Sequence, residues 1–190
     1  MANLATVALA TLAILLPSIY FLVSERTRPT RMSAPAPTPH IATFHAFLRA
    51  YSTLSPATLT ANASPAFTHS VLPSSLGLPA RTLDPFKQHA GMILSLFSSF
   101  SMTPQPSPSA VHYSRDTNTV VAHCKMGGVI NGESEQGKKL VDSGVSEWWT
   151  ECVMFVRMDE GGREVVEVRE FVHSAKAEEL KRRMMGLLES

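Results

Sequence analysis

Three side chains in this sequence could carry a proton to or from a bound molecule: His69, His89 and Glu170. Acid–base chemistry needs groups whose pKa lies near working pH. Histidine supplies one unaided, and a glutamate buried among apolar neighbours is pushed up toward that range. Glu170 shares an inward strand face with Val166, Val168 and Val172, while His89 falls beside an apolar helix face. His69 lies in a stretch broken by Pro and Gly. Each also has a plainer reading: His69 as a turn or surface residue, His89 as a hydrogen-bonded core histidine, Glu170 as a partner for an Arg or a backbone N–H. Trp148, Thr150, Cys124 and Phe97 are the expected pocket wall, although the tryptophans also fit a core or a subunit contact. No CxxC, HExxH, GxGxxG or P-loop pattern occurs, so neither cofactor nor metal is expected.

Those side chains need elements that aim them at one space. Thr38-Pro39 and Ser55-Pro56 each carry a cap followed by proline at the first helical position, and predict two helices. Ile41, Phe44, Leu48 and Tyr51 recur at helical spacing in the first. Asp84-Pro85 predicts a third, with Phe86, Ala90, Ile93, Phe97 and Phe100 on its apolar face. The stretches 65–79 and 102–109 have the breakers of loops. Beyond Ser109 the period changes to two. VHYSRD, TVVAHCKM, VSEWWTECVMFVRMD and REVVEVREFVHS predict strands joined by Asp116-Thr117-Asn118 and Asp159-Glu160-Gly161-Gly162 turns. Alternation puts Trp148, Thr150, Cys152, Met154 and Val156 inward, with Trp149, Val153 and Phe155 outward. That outer set is too apolar for a bare surface and predicts a homodimer. In the last strand Val165 falls on the outward set. Ser174 is the expected cap of a closing helix. The fold class expected is α+β: a cone-shaped curved antiparallel sheet packed with three N-terminal helices, plus an N-terminal membrane helix.

The chain of 190 residues fits one domain and an appendage, with 44% apolar residues to fill a core. Its net charge of +1 gives no field that would recruit nucleic acid, so no nucleic-acid partner is expected. Cys124 and Cys152 cannot build a disulfide framework and read as buried reduced thiols. Residues 1–25 form a hydrophobic segment, 26–38 a Pro-rich linker and 39–190 the domain. Leu4 to Val23 is uncharged and about 20 residues long, the span of a bilayer-crossing helix. Arg26, Arg28 and Arg31 follow it, which predicts a signal anchor with the domain on the cytosolic side, at the endoplasmic reticulum. A cleaved secretory signal and a cytoplasmic protein starting at Met32 are the alternatives.

In FHAFLRAYSTLSP, FTHSVLPSSLGLP, DPFKQHAGMILSLFSSF, WTECVMFVRMDEGG and VVEVREFVHSAKAEEL the chain resembles the nuclear transport factor 2-like superfamily, in particular SnoaL-like fungal proteins. The resemblance covers about Pro39 to Met185. It implies a cone-shaped fold around a pocket for a small apolar molecule. Isomerases, dehydratases and cyclases use this superfold, as do non-catalytic binding or dimerisation modules. The resemblance would place an aspartate where this chain has His173.

Overall fold

The structure, a computed structural model, describes residues 38–188. The hydrophobic segment, the linker and the anchor expected over Leu4 to Val23 lie outside the described residues. Among the described residues no helix is long and apolar enough to cross a membrane.

Thr38 caps the first helix, α1 (Pro39–Ala50): its Oγ1 accepts a hydrogen bond from Ile41 N at 3.4 Å. A 3-10 turn, Tyr51–Thr53, extends it. Ser55 caps α2 (Pro56–Leu59) in the same way, with Thr58 N donating at 3.3 Å. The chain continues through β1 (Ala63–Leu72), β2 (Arg81–Thr82), α3 (Leu83–Leu94), β3 (Phe97–Pro104), β4 (His112–Ser114) and β5 (Thr119–Ile130). Then come α4 (Glu135–Asp142), β6 (Glu147–Met158), β7 (Val165–Val172) and α5 (Ser174–Leu188). His173 Nδ1, rather than Ser174, accepts from Lys176 N at 3.3 Å and closes the start of α5.

The sheet runs β2-β1-β7-β6-β5-β3, with β4 pairing the beginning of β5. It is curved and open, but mixed rather than antiparallel, because β1 lies parallel to β7. The stretch expected to be a loop after Pro65 is therefore a strand. Pro65 is tolerated because the β1–β7 register shifts between Ala63 and Thr68, so no ladder bond depends on its missing N–H. The third helix is also shorter than expected. Ile93, Phe97 and Phe100 have helical spacing, but Phe100, Met102 and Pro104 also alternate, and from Phe97 onward the strand period wins. Sheet structure thus begins before the Pro/Ser segment.

The core lies between the inner sheet face and the helices. Phe44 and Leu48 from α1, Phe86 and Ala90 from α3, and Cys124, Met154 and Val156 from the sheet are all buried in it. The inward sets expected in β5 and β6 are buried from Val120 and Thr150 onward. In β7 the bulge opposite Arg157 and Met158 turns Val165 inward, against the alternation, while Val168 and Val172 keep their inward aim. Gly127 and Gly128 let β5 bend. A Cβ at Gly127, where φ is +143°, would run into the Trp148 carbonyl, and one at Gly128 into the Ser99 carbonyl. Only glycine admits both neighbouring strands so closely.

Candidate functional site

The inner face of this sheet and α3 enclose an apolar cavity of about 470 Å³. That is within the range of small-molecule sites. Its walls include Phe86 and Ile93 of α3, Phe100 and Met102 of β3, Met126 of β5 and Val172 of β7. Leu78 and Met92 line it while remaining 43% and 51% exposed, so they mark its opening to solvent.

The polar groups in this lining gather around Glu170. Parallel pairing sets His69 of β1 beside Val168 of β7 and Val71 beside Glu170. His69 Nε2 thereby stands 3.5 Å from Glu170 Oε2, with side-chain exposures of 3% and 12%. At that distance it is a loose polar contact rather than a well-made hydrogen bond. The His69 ring packs on Phe86 with centroids 4.8 Å apart. Its Nδ1 is buried with no partner among the described residues. His89 lines the same cavity from α3. Burial pushes its imidazole down to about 4, aided by the positive Arg81 and by His69 and opposed by Glu170. At neutral pH it is an uncharged hydrogen-bonding group. Tyr51 enters from the turn after α1. Burial, and then the charge of Glu170, pushes its phenol well above 10.0, so the hydroxyl keeps its proton.

The three residues singled out by type therefore line one cavity, and Trp148 does so with them. The direct partner of Glu170 is His69 rather than His89. Phe97, Cys124 and Thr150 do not line it. Phe97 lies in β3 and meets Phe100 edge-on at 5.0 Å and Trp148 at 6.5 Å, within the core. Cys124 and Cys152 face each other across β5 and β6 as buried free thiols. A hydrogen bond that the Cys152 thiol donates to Cys124, and then burial, push the Cys152 thiol far up, which leaves it protonated and unreactive. Thr150 is buried with its hydroxyl unpartnered among the described residues. Tyr51 and Glu178 belong to the lining without having been singled out. Tyr51 looked like the last member of the apolar stripe of α1, and Glu178 like an i,i+4 partner of Arg182 on the closing helix, where it is exposed. Among the described residues no three His, Cys, Asp or Glu side chains are grouped as metal ligands.

No protein-family model matches the sequence, and no curated protein is similar to it in sequence. Solved structures are similar to it in shape. One is the pinacolase BvnE from Penicillium brevicompactum, at 14% identity and a TM-score of 0.67, covering 83% of this chain and 99% of its own. AusH from Aspergillus nidulans aligns at 21% identity and a TM-score of 0.60, covering 73% of this chain and 88% of its own. A nuclear transport factor 2-like protein from Burkholderia thailandensis aligns at 14% identity and a TM-score of 0.53, covering 75% and 96%. The fold is nuclear transport factor 2-like. The cavity lies between the curved sheet and the helices, and His69 and Glu170 meet within its lining.

Proposed function

We propose that this protein is a small acid–base enzyme, an isomerase, dehydratase or cyclase acting without cofactor on an apolar molecule, with Glu170 as the base. The observation that carries this reading is the contact of Glu170 with His69 inside an otherwise apolar cavity of about 470 Å³. In isomerisation, the Glu170 carboxylate takes a proton from a carbon beside a carbonyl. The C–H electron pair moves into a C=C bond, and the carbonyl oxygen gathers negative charge. The Tyr51 hydroxyl donates a hydrogen bond to that oxygen. Glu170 then returns the proton to a different carbon. His69 steadies the carboxylate, and its 3.5 Å approach is of the loose kind that tightens when a ligand fills the space. His89 orients the ligand but does not hold the proton, because its imidazole is neutral at working pH. That a pinacolase shares the fold supports an enzymatic reading, although a fold alone does not choose a reaction.

The test is exchange of carbon-bound hydrogen. Molecules that co-purify with the protein are identified by mass spectrometry and returned to it in D₂O. Wild type should incorporate deuterium, and Glu170→Gln should do so more slowly by about 10²-fold or more. Equal incorporation by both proteins would remove Glu170 as the base. A second reading, a non-catalytic binding module, draws on the almost wholly apolar wall. It predicts tight retention of the ligand with no exchange in either protein.

Two further proposals concern the protein as a whole. Leu4 to Val23 anchors it in the endoplasmic reticulum membrane with its domain in the cytosol, which carbonate extraction and protease accessibility test; a protein starting at Met32 would be cytoplasmic. The outer sheet face joins two copies. There Trp149 lies under Lys125 at 4.9 Å and Phe155 under Arg169 at 5.4 Å, while Phe171 is left 47% exposed.

A further inference from the structure

We infer that the cavity selects against anions, so that its ligand is an uncharged apolar molecule and acids of the same shape are turned away. This rests on the reading of the cavity as a ligand site. The charges around it are lopsided. Two carboxylates, Glu170 on β7 and Glu178 on α5, line it, and among the described residues no Lys or Arg does. His69, His89 and Tyr51 are the other titratable groups of the lining. His89 and Tyr51 are neutral at working pH. Glu170 is the buried carboxylate of this lining, whereas Glu178 is exposed on α5 at its mouth. Arg81, the cation beside His89, sits on β2 outside the lining.

The walls amplify this imbalance. In a site lined by phenylalanine, methionine and isoleucine, water screens charge poorly, and a like charge a few ångströms from Glu170 is repelled more strongly than at the surface. An anion entering the cavity also gives up its hydration without gaining a partner. An uncharged molecule meets neither cost. The chemistry that supplies the substrate is constrained in turn. A precursor bearing a carboxylic acid fits only after esterification, amidation, lactonisation or decarboxylation has removed its charge.

Two fluorescent probes that share one skeleton test this on the full-length chain. N-phenyl-1-naphthylamine is uncharged, and 8-anilinonaphthalene-1-sulfonate adds a sulfonate. Ala90→Phe, which fills the cavity from α3, gives the background to subtract. Val172→Phe fills it from β7 if the first variant does not fold. The neutral probe should bind the cavity with a Kd at least tenfold below that of the sulfonate. The double variant Glu170→Gln, Glu178→Gln keeps the shape and should narrow that ratio at least threefold. Equal Kd values in wild type, or an unchanged ratio in the double variant, overturn the anion selection while leaving the cavity a ligand site. A neutral probe that binds wild type and the filled variants alike shows that the cavity takes no ligand, and both readings then fall.

Discussion

Replacing His89 by Gln should make the protein less sensitive to acid, by an amount the structure sets. The unfolded chain protonates this histidine near 6.5, whereas in the folded protein burial and Arg81 hold it at about 4. Between those values the unfolded state binds more protons, so stability falls as pH drops from 6.5 toward 4 and is complete above 6.5. A gap of about 2.5 pH units corresponds to about 3.4 kcal/mol. His89 is only half-buried, and solvent screening reduces this to about 1.5 kcal/mol. Urea denaturation at pH 7.5 and at pH 4.5 measures the loss for each protein. Wild type should lose about 1.5 kcal/mol more than His89→Gln, a midpoint difference of about 1 M at an m-value of about 1.5 kcal/mol/M. Comparing the two losses cancels the carboxylates, which titrate in both proteins. Losses equal to within about 0.5 kcal/mol, or a His89 imidazole resonance titrating near 6.5, would refute the account of a histidine held neutral.

Tyr51→Phe keeps the ring against Phe47 and Phe100 and removes only the hydroxyl. Turnover should fall about 10²-fold, as when a donor to developing charge is lost, and a fall under threefold in kcat would take Tyr51 out of the mechanism. Gly127→Ala combines a backbone collision with a strained φ and should cost about 2–6 kcal/mol by urea titration. A cost under about 1 kcal/mol would mean that β5 can bend without glycine there. Phe155→Glu places a carboxylate on the outer sheet face. Sedimentation velocity should show a dimer for wild type and a monomer for the variant; a monomeric wild type at high concentration would end the dimer proposal.

What was legible in the sequence was what neighbouring residues decide together. Thr38-Pro39 and Ser55-Pro56 carry the whole instruction for a helix start within two residues, and both caps form. The alternation of β5 and β6 was equally plain, because one face is apolar along most of its length. β1 was hidden by Pro65, which sits in an irregular part of its pairing, and β3 by phenylalanines that fit two periods at once. α4 carries only Leu140 and Val141 as large apolar residues and gave no periodic signal. In the site, residue type marked His69, His89 and Glu170. Which of them touch could not be read, because the contact depends on β1 lying parallel to β7, and no local pattern announces a parallel neighbour that distant.

That parallel pairing also governs when the cavity can come into being. β7 is the last strand in the chain, yet it lies between β1 and β6. His69 is made about a hundred residues before Glu170, and contacts of such long sequence separation form slowly. While the chain emerges from the ribosome, β1 and β6 each present an edge awaiting the same missing strand. Such edges invite pairing with other nascent chains. A polypeptide interrupted before Val165 would have His69 and most of its cavity wall but neither Glu170 nor the strand that joins β1 to β6. Ligand present during synthesis could hold the two halves together only after β7 has docked, so it would rescue late folding defects and leave early ones untouched.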